Sequence, residues 1–361
     1  MKDTALVGRR ELLRRSLAVG ATITGGGLLA ACDQRPPSSA ASPSASLPPP
    51  ETATIRIASP FACDAPLWLA KDFLREEGFI DVRWVPDAPG TAGWIISNVA
   101  DVGPGHPEAI VAAIDGGVPI VTLAGMHTGC QELWAGPGIA SVRDLRGKRV
   151  AVFKRDTTDQ FFLFFSTLCA YNGIDPLTNV SFFEVGSFEY RGLLTAYLEG
   201  RSDAFLAAAD GAAVLKREPR NPGTKILDQT TDKPWSQYLC CLLVANRDWA
   251  RQNPNATKRF TRAVLRAADA TAKDRATAAR AGVGASIRNL LGRGNAPELD
   301  ILTDTTAMVS YDWREYDPEE TLRFFALRLG EVKLIKSTAQ QIIAQGSNVA
   351  YMQQLRNELK P

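Results

Sequence analysis

The residue types best suited to chemistry are two histidines, His106 and His127, and six cysteines. Cys130 lies three residues after His127, so His106, His127 and Cys130 together are one conceivable metal site. Cys63 and His106 are a conceivable nucleophile and base. However, the chain has no His-His helix spacing, paired-cysteine metal motif, Gly-x-Ser-x-Gly elbow, P-loop or dinucleotide fingerprint. The sequence therefore predicts no catalytic residue, no metal ligand and no cofactor.

Several small, polar loops follow strand-like segments of the chain. In open α/β sheets, ligands bind beyond the carboxyl ends of the strands, where helix N-termini offer free N–H donors. The loops in question span residues 59–66, 103–108, 126–129 and 154–159. Any one of them could be an ordinary turn, but several at equivalent strand ends predict a shared cleft.

Acidic side chains at or near these loops favour one class of ligand. They are Asp64, Glu108, Asp159 and Asp210. Asp64 and Asp159 also stand where helix N-caps are expected. If several of the four face the cleft, they oppose an anion and favour an amine, a heterocycle or a polyhydroxyl compound. Trp235 precedes a long apolar strand, where it either stacks on a ligand or packs at a hinge.

The cysteines allow one disulfide prediction. Cys240 and Cys241 are adjacent on an expected strand, so their side chains should point to opposite faces. A single partner would then reach only one of them, and Cys130 is the first partner to test. Cys169 lies in an apolar helical segment and is expected to behave as a small buried hydrophobe.

The elements that must position these residues alternate between strands and helices. Expected strands span residues 55–58, 81–85, 101–103, 119–124, 149–153, 180–183, 203–206, 225–227 and 238–244. A helix over 159–171 is apolar nearly all round, which predicts burial. Capping boxes are expected at 317–320 and 337–340. The alternation predicts an α/β fold with mainly parallel sheets.

The first 50 residues predict export rather than a folded element. Arg9 and Arg10 precede a glycine-diluted apolar segment, which is typical of a signal peptide and resembles the Tat signal, although Sec export stays open. The residues Leu29-Ala30-Ala31-Cys32 resemble the lipobox of bacterial lipoproteins. That resemblance implies cleavage before Cys32 and lipidation of its sulfur. Residues 33–50 are rich in Ser, Ala and Pro and predict an extended tether.

The overall charge excludes a nucleic-acid-binding class. The whole chain has a net charge of +2, and residues 1–31 carry five basic and two acidic side chains. The remainder is therefore close to −1, which offers no basic surface for phosphates. Its length is more usual for two lobes than for one.

Four segments of the body resemble ABC-transporter substrate-binding proteins of the nitrate, taurine and aliphatic-sulfonate type. They are residues 141–152 (SVRDLRGKRVAV), 127–133 (HTGCQEL), 234–241 (PWSQYLCC) and 316–321 (YDPEET). The resemblance covers nearly all of residues 53–359. It implies a type II periplasmic-binding-protein-like fold, in which two mixed α/β lobes are joined by two hinge strands and followed by C-terminal helices.

The resemblance also implies a domain plan and a site. The plan is a cleaved signal over 1–31, a lipidated linker over 32–52, lobe one over 53–139 and 241–361, and lobe two over 140–240. By position, the family's ligand contacts fall on Phe61, Asp64, His106, His127, Thr128, Thr157, Thr158 and Asp210. The expected protein is a monomeric extracytoplasmic binder that closes on a small molecule and delivers it to a permease with its ATPase.

Two rival functions remain at this point. A thiamine-pyrimidine synthase branch shares the superfamily fold, although an export signal argues against an intracellular biosynthetic enzyme. A ligand-sensing module that docks to a receptor is the other rival. The acidic loops depart from what a sulfonate or nitrate site favours, so the resemblance leaves the identity of the ligand open.

Overall fold

The computed structural model describes residues 47–85, 90–186, 189–285 and 299–359. Across these residues the chain forms two five-stranded sheets. The first sheet contains β1 (Thr54–Ala58), β2 (Asp81–Val85), β3 (Val102–Gly105), β4 (Ile120–Thr128) and β10 (Leu239–Asn246), in the order β2-β1-β3-β10-β4. The second contains β5 (Glu132–Ala135), β6 (Arg149–Val152), β7 (Ser181–Glu184), β8 (Ala204–Ala207) and β9 (Thr224–Asp228), in the order β7-β6-β8-β5-β9.

Helices fill most of the connections between strands. The first half of the chain contributes α1 (Ala65–Glu76), α2 (Gly90–Ile96), α3 (Pro107–Asp115), α4 (Gln160–Tyr171), α5 (Pro176–Asn179), α6 (Tyr190–Leu198) and α7 (Ala209–Leu215). After β10 come α8 (Arg247–Gln252), α9 (Pro254–Lys273), α10 (Arg275–Gly282), α11 (Leu299–Met308), α12 (Pro318–Glu331), α13 (Ala339–Gly346) and α14 (Ala350–Glu358). Among the described residues, no helix combines the length and apolar character that crossing a membrane requires.

Both sheets are mixed, which confirms the α/β fold class with two mixed sheets. The expectation of mainly parallel sheets is wrong, because each sheet has two parallel and two antiparallel strand pairs. In the first sheet β1 runs parallel to β2 and β3, whereas β10 runs antiparallel to β3 and β4. In the second sheet β6 runs parallel to β7 and β8, whereas β5 runs antiparallel to β8 and β9. The chain therefore passes to the second sheet between β4 and β5 and returns between β9 and β10. Two crossings of the chain therefore connect the two sheets.

Two local predictions need correction. The expected strand over 119–124 continues to Thr128, so His127 and Thr128 lie within β4 rather than in a loop after it. The sequence analysis starts the second lobe at residue 140. In the structure, β5 of the second sheet already pairs with β8 and β9 from Glu132 onward. The lobe limits themselves stay a prediction.

Helix starts follow the local sequence closely. Asp317 accepts hydrogen bonds from the first-turn N–H groups of α12, and Asp159 does the same for α4. The capping box expected at 337–340 is displaced by one residue, because Thr338 and Gln341 form it. As the apolar pattern predicts, Phe161 to Cys169 of α4 are all buried. This burial places α4 in the core between the second sheet and α12.

Candidate functional site

The first sheet and the loop after its first strand bring four reactive side chains together. Cys63 and Asp64 occupy the loop between β1 and α1, His127 lies on β4, and Cys241 lies on β10. Cys241 stands directly opposite His127 in the β4–β10 register. Directly opposite residues of an antiparallel pair are close neighbours, so the strand pairing itself fixes this contact. We call Cys63, Asp64, His127 and Cys241 the thiol–histidine cluster.

Asp64 and His127 form the buried polar pair of this cluster. Asp64 Oδ1 lies 3.1 Å from His127 Nε2, and both side chains are fully buried. The second oxygen, Oδ2, accepts a hydrogen bond from the Phe61 N–H at 2.9 Å. The sequence predicts Asp64 as a helix cap, and it does occupy the N-cap position of α1. However, its side chain makes no capping hydrogen bond there. The Asp64 side chain contacts His127 instead.

The sulfurs of Cys63 and Cys241 lie within 4.8 Å of each other. A hydrogen bond from the Cys241 thiol, assisted by His127, lowers the pKa of Cys63 despite its burial. Burial raises the pKa of Cys241. For His127, burial alone would lower the pKa, but Cys63 and Asp64 outweigh it and raise the pKa to about 10. The cluster is therefore electrostatically balanced within itself, since a cationic imidazole neighbours anionic partners.

His106 occupies a neighbouring position between two sulfurs. Its Nδ1 lies 3.8 Å from Cys240 Sγ, and its Nε2 lies 4.0 Å from Cys241 Sγ. The edge of its ring meets Phe61, with 5.2 Å between the ring centroids. Alternation along a strand predicts that adjacent cysteines diverge. The register of β10 shifts on both sides of Cys241, and this irregularity accompanies the approach of both sulfurs to one ring.

Cys130 forms a disulfide with Cys240. The sequence ranks Cys130 first as a partner for Cys240 or Cys241, and the structure selects Cys240. Cys130 is therefore not a free thiol, so the conceivable metal site of His106, His127 and Cys130 is not assembled. The bond also links the two segments in which the chain crosses between the sheets, since Cys130 lies between β4 and β5 while Cys240 is the second residue of β10.

Three buried carboxyl groups stand at helix starts associated with the two sheets. Burial, reinforced by the charge of Asp159, raises the pKa of Glu108 to about 8. Burial raises the pKa of Asp159 and of Asp210 to about 6 each. Glu108 belongs to α3, on the first sheet, whereas the other two stand at the starts of α4 and α7, on the second. We call Glu108, Asp159 and Asp210 the carboxyl set.

The carboxyl set has few compensating charges. Across the residues that the structure describes, no lysine or arginine forms an ion pair with any of its three members. The nearest basic group to Glu108 is His106, with 4.0 Å between Nδ1 and Oε1. Glu108 Oε1 is buried without a hydrogen-bond partner in the described part of the chain. A ligand that donates a hydrogen bond to such a buried, unpaired oxygen would gain binding free energy.

Tyr190 links the carboxyl set to the thiol–histidine cluster. Its hydroxyl donates to Asp210, which partly offsets the effect of burial on that carboxyl. Its own pKa is raised by burial first, and then by the charges of Asp210 and Cys63. Tyr190 therefore lies within electrostatic reach of both groups. Its ring also packs on Phe153 and Phe161, so this side of the site is aromatic and dry.

The other residues predicted from the sequence lie apart from this centre. Thr157 and Thr158 are exposed, and Thr158 donates to Asp156 in its own loop. Trp235 is buried against Phe164, Tyr171 and Phe324, and no described contact joins it to the thiol–histidine cluster. Its environment is that of the packing alternative.

Thr128 is buried at the end of β4, where its N–H donates to Ser310. The structure thus gathers Phe61, Asp64, His106, Glu108, His127, Asp159 and Asp210 into one buried region.

Sequence reasoning missed three contributors. Cys241 enters through its register with His127, and Tyr311 through a hydrogen bond from its hydroxyl to the Cys63 carbonyl at 2.9 Å. Tyr190 enters through α6 of the second sheet. The available signal for Cys241 was its position on the return strand beside the strand that carries His127. Neither tyrosine had a motif around it that could have identified it.

The thiol–histidine cluster has the donor types of a metal site. One ligand atom from each of its four residues lies within 4.8 Å of all the others. A second group, formed by His106, Cys240 and Cys241, has the same property. Cys240 is already bonded to Cys130, so the second group lacks a free thiol at that position.

Comparison with known proteins identifies the family and the fold. A profile described as NMT1/THI5 like matches residues 66–278, which is more than half of the chain. No curated protein matches the sequence. Among solved structures, the periplasmic nitrate-binding protein NrtA from Synechocystis is 15% identical with a TM-score of 0.67, covering 87% of this chain and 90% of its own.

Two further structures agree with this fold. The sulfonate-binding protein SsuA from Methylobacillus flagellatus is 20% identical with a TM-score of 0.60, covering 84% of this chain and 94% of its own. A protein from Bordetella bronchiseptica is 20% identical with a TM-score of 0.66, covering 86% of this chain and 98% of its own. The shared architecture is that of periplasmic binding proteins.

Proposed function

The chain belongs to the NMT1/THI5-like family, and on that premise we propose that it is a solute-binding protein that captures a small cationic molecule. The molecule would bind between the two sheets and be delivered to an ABC-transporter permease with its ATPase. The observation that carries the proposal is the carboxyl set, because its three acids are buried at helix starts on both sheets and their pKa values are raised by burial. A raised pKa means that the ionised carboxylate lacks a sufficient counter-charge, which a cation would supply.

The chemistry of these acids selects the class of solute. Burying an ionised carboxylate without a counter-charge is costly, so a buried acid either keeps its proton or takes a cationic partner. A protonated amine or a cationic heterocycle supplies both charge and N–H donors, and Glu108 Oε1 is free to accept one. An anion would meet up to three like charges. This distinguishes the chain from the nitrate- and sulfonate-binding proteins that share its fold.

We further propose that the protein works outside the cytoplasm, held to a membrane by lipid on Cys32. Residues 1–46, including the signal and Cys32, lie outside the described residues. The support is the sequence alone: a signal-like segment, a lipobox-like end and a Pro-rich tether. Expression in a bacterial host should place the wild-type protein in the membrane fraction and the Cys32→Ser variant in the soluble fraction. A wild-type protein that stays soluble contradicts the lipid anchor.

Native mass spectrometry of protein purified from its own host tests the capture role most directly. The expected result is one copy of a small cationic molecule per chain, released unchanged on unfolding. An anionic molecule retained at the same stoichiometry contradicts the proposed solute class. Release of a chemically altered molecule contradicts capture without turnover. Capture is also contradicted if no solute is retained and if no amine, heterocycle, sulfonate or nitrate raises the thermal stability of the protein.

A second candidate is an enzyme similar to the pyrimidine synthase of the same family. One observation favours it: His106 Nε2 lies 4.0 Å from the sulfur of the free cysteine Cys241, and a histidine beside a thiol has acid–base and nucleophilic potential. Incubation with a pyridoxal-type substrate separates the candidates, since an enzyme would consume it and a binding protein would not. A ligand-sensing protein would bind a receptor, whereas a transport protein would bind a permease. A permease gene next to the gene for this chain would favour transport.

A further inference from the structure

We propose that the thiol–histidine cluster binds one divalent transition-metal ion, with Zn²⁺ the best fit to its donors. Cys63, Asp64, His127 and Cys241 offer two sulfurs, one carboxylate oxygen and one imidazole nitrogen. Thiolate, imidazole and carboxylate are the ligands of protein zinc sites. The site does not depend on which solute the protein captures.

The spacing of the donors is close to that of a tetrahedral site. Zinc bonds of about 2.0–2.3 Å in a tetrahedron place neighbouring donors about 3.3–3.8 Å apart. The four donor atoms already lie within 4.8 Å of one another, and Asp64 Oδ1 is 3.1 Å from His127 Nε2. A contraction of about 1 Å at the widest pair completes the geometry. Side-chain rotation alone can supply a change of this size.

The backbone holds the donors in two rigid pairs. His127 and Cys241 are directly opposite in the β4–β10 register. Cys63 and Asp64 are consecutive in the loop before α1, where the Tyr311 hydroxyl binds the Cys63 carbonyl and the Phe61 N–H binds Asp64 Oδ2. Two donors therefore come from paired strands, and two come from a loop that is held by these hydrogen bonds. Preorganised donors of this kind lose little entropy when an ion binds.

The outer contacts point the imidazole toward the cluster. His127 Nδ1 faces the Thr128 carbonyl at 3.4 Å, which leaves Nε2 directed at Asp64 and the thiols. A metal-binding histidine commonly uses its other ring nitrogen to donate to a carbonyl or carboxylate. The four side chains are buried, so solvent does not compete for the ion. A closed set of four protein ligands is typical of a structural rather than a catalytic zinc site.

Cobalt(II) is the probe for this site because tetrahedral thiolate coordination gives it an intense visible and near-ultraviolet spectrum. The full-length Cys32→Ser protein, with the Cys130–Cys240 disulfide intact, would be stripped with a chelator and titrated with Co²⁺. We expect one ion per chain, a sulfur-to-cobalt charge-transfer band, and loss of the spectrum when Zn²⁺ displaces Co²⁺. An absence of thiolate bands with three free thiols titratable overturns the proposal.

Two cysteine variants and a matched control assign the ligands. Cys63→Ser and Cys241→Ser should each weaken Co²⁺ binding at least about tenfold and reduce the charge-transfer band. Cys169→Ser is the control, because Cys169 is also a buried free cysteine but lies in α4. It should bind Co²⁺ as the parent does. Equal loss in all three variants overturns the assignment.

Two further measurements keep the test decisive. If a serine variant fails to fold by circular dichroism, Asp64→Asn replaces it, since this change keeps both thiols and should lower affinity while retaining the charge-transfer band. The second measurement counts the free thiols of the protein in its native oxidation state. A disulfide between Cys63 and Cys241 in that state overturns the proposal. Retained cobalt binding without any captured solute contradicts the proposed function alone, so the two claims fail separately.

Discussion

The thiol–histidine cluster and the carboxyl set are neighbours with opposite electrostatic states. In the cluster, Asp64 has His127 as a partner, and the Cys63 thiol has Cys241, so its charges are balanced internally. In the carboxyl set, burial raises the pKa values, and Glu108 Oε1 has no hydrogen-bond partner among the residues that the structure describes. The difference indicates that the cluster supplies its own counter-charges. On the proposed function, an external cation would supply the counter-charge that the carboxyl set lacks.

Their positions in the fold explain the difference. The cluster is built on the paired strands β4 and β10 of one sheet and on the loop before α1, and the strand register fixes His127 opposite Cys241. The carboxyl set is assembled from helix starts on both sheets. Its geometry therefore changes when the sheets move relative to each other. A hinge motion would open the carboxyl set and leave the cluster intact.

His127→Ala should produce the largest loss of stability, because it leaves the Asp64 carboxylate buried without its partner. Breaking a buried charged pair costs about 3–5 kcal/mol. Urea unfolding in the presence of a chelator measures the loss without interference from metal. His127→Gln is the control, since its amide can still donate to Asp64 and should recover part of the loss. A change below about 1 kcal/mol would show that the cluster is not internally balanced.

Glu108→Gln should alter the pH dependence of stability. The folded pKa of about 8 lies above the ordinary value of 4.5, so folding takes up a proton between these limits. The stabilisation from this group is fully present below pH 4.5 and is lost as the pH rises through 8. The expected slope is at most about 1.4 kcal/mol per pH unit.

Urea unfolding from pH 5 to 8.5 measures this slope. In the wild-type protein, stability should fall with rising pH across the whole interval. In Glu108→Gln the contribution of Glu108 should be absent, so the fall between pH 6 and 8.5 should be shallower than in the wild type, while the fall below about pH 6, where Asp159 and Asp210 titrate, should remain. Asp156→Asn is a control, because Asp156 has a lowered pKa and lies in a partly exposed loop. Identical slopes in wild type and Glu108→Gln would mean that Glu108 is ionised throughout.

Tyr190→Phe should have a smaller effect, since it removes one hydroxyl and retains the ring packing on Phe153 and Phe161. Loss of the hydrogen bond to Asp210 should cost about 0.5–1.5 kcal/mol of unfolding free energy. The same change should raise the pKa of Asp210, which carboxyl NMR can follow. An unchanged pKa would mean that Tyr190 does not join the two regions.

Thr158→Ala should have the smallest effect. The sequence predicts Thr157 and Thr158 as ligand contacts, but both are exposed in the structure. Stability should change by no more than about 0.5 kcal/mol, and solute affinity by less than about twofold. A tenfold loss of solute affinity, measured by calorimetry, would show that the loop containing Thr158 contacts the solute and that the binding site includes more than the carboxyl set.

Local patterns predicted the elements better than the contacts between them. Asp159 and Asp317 cap their helices as expected, because capping depends on the next few residues. Asp64 does not, because its partner His127 stands 63 positions away, and a buried charged contact outweighs a helix cap. Likewise, the sequence could rank Cys130 as a partner for two adjacent cysteines. The irregular register of β10 is a tertiary feature that it could not supply.

Calorimetry of the captured solute at two pH values tests the central claim most directly. In the solute-free protein, Glu108 holds a proton below about pH 8, and Asp159 and Asp210 hold theirs below about pH 6, so a cationic solute must displace the protons that remain at the pH of the measurement. The account predicts tighter binding at pH 8 than at pH 6, with proton release at pH 6, and a weaker pH dependence in Glu108→Gln. Tighter binding at pH 6 with proton uptake would contradict it, because an anionic solute requires the carboxyl groups to stay neutral.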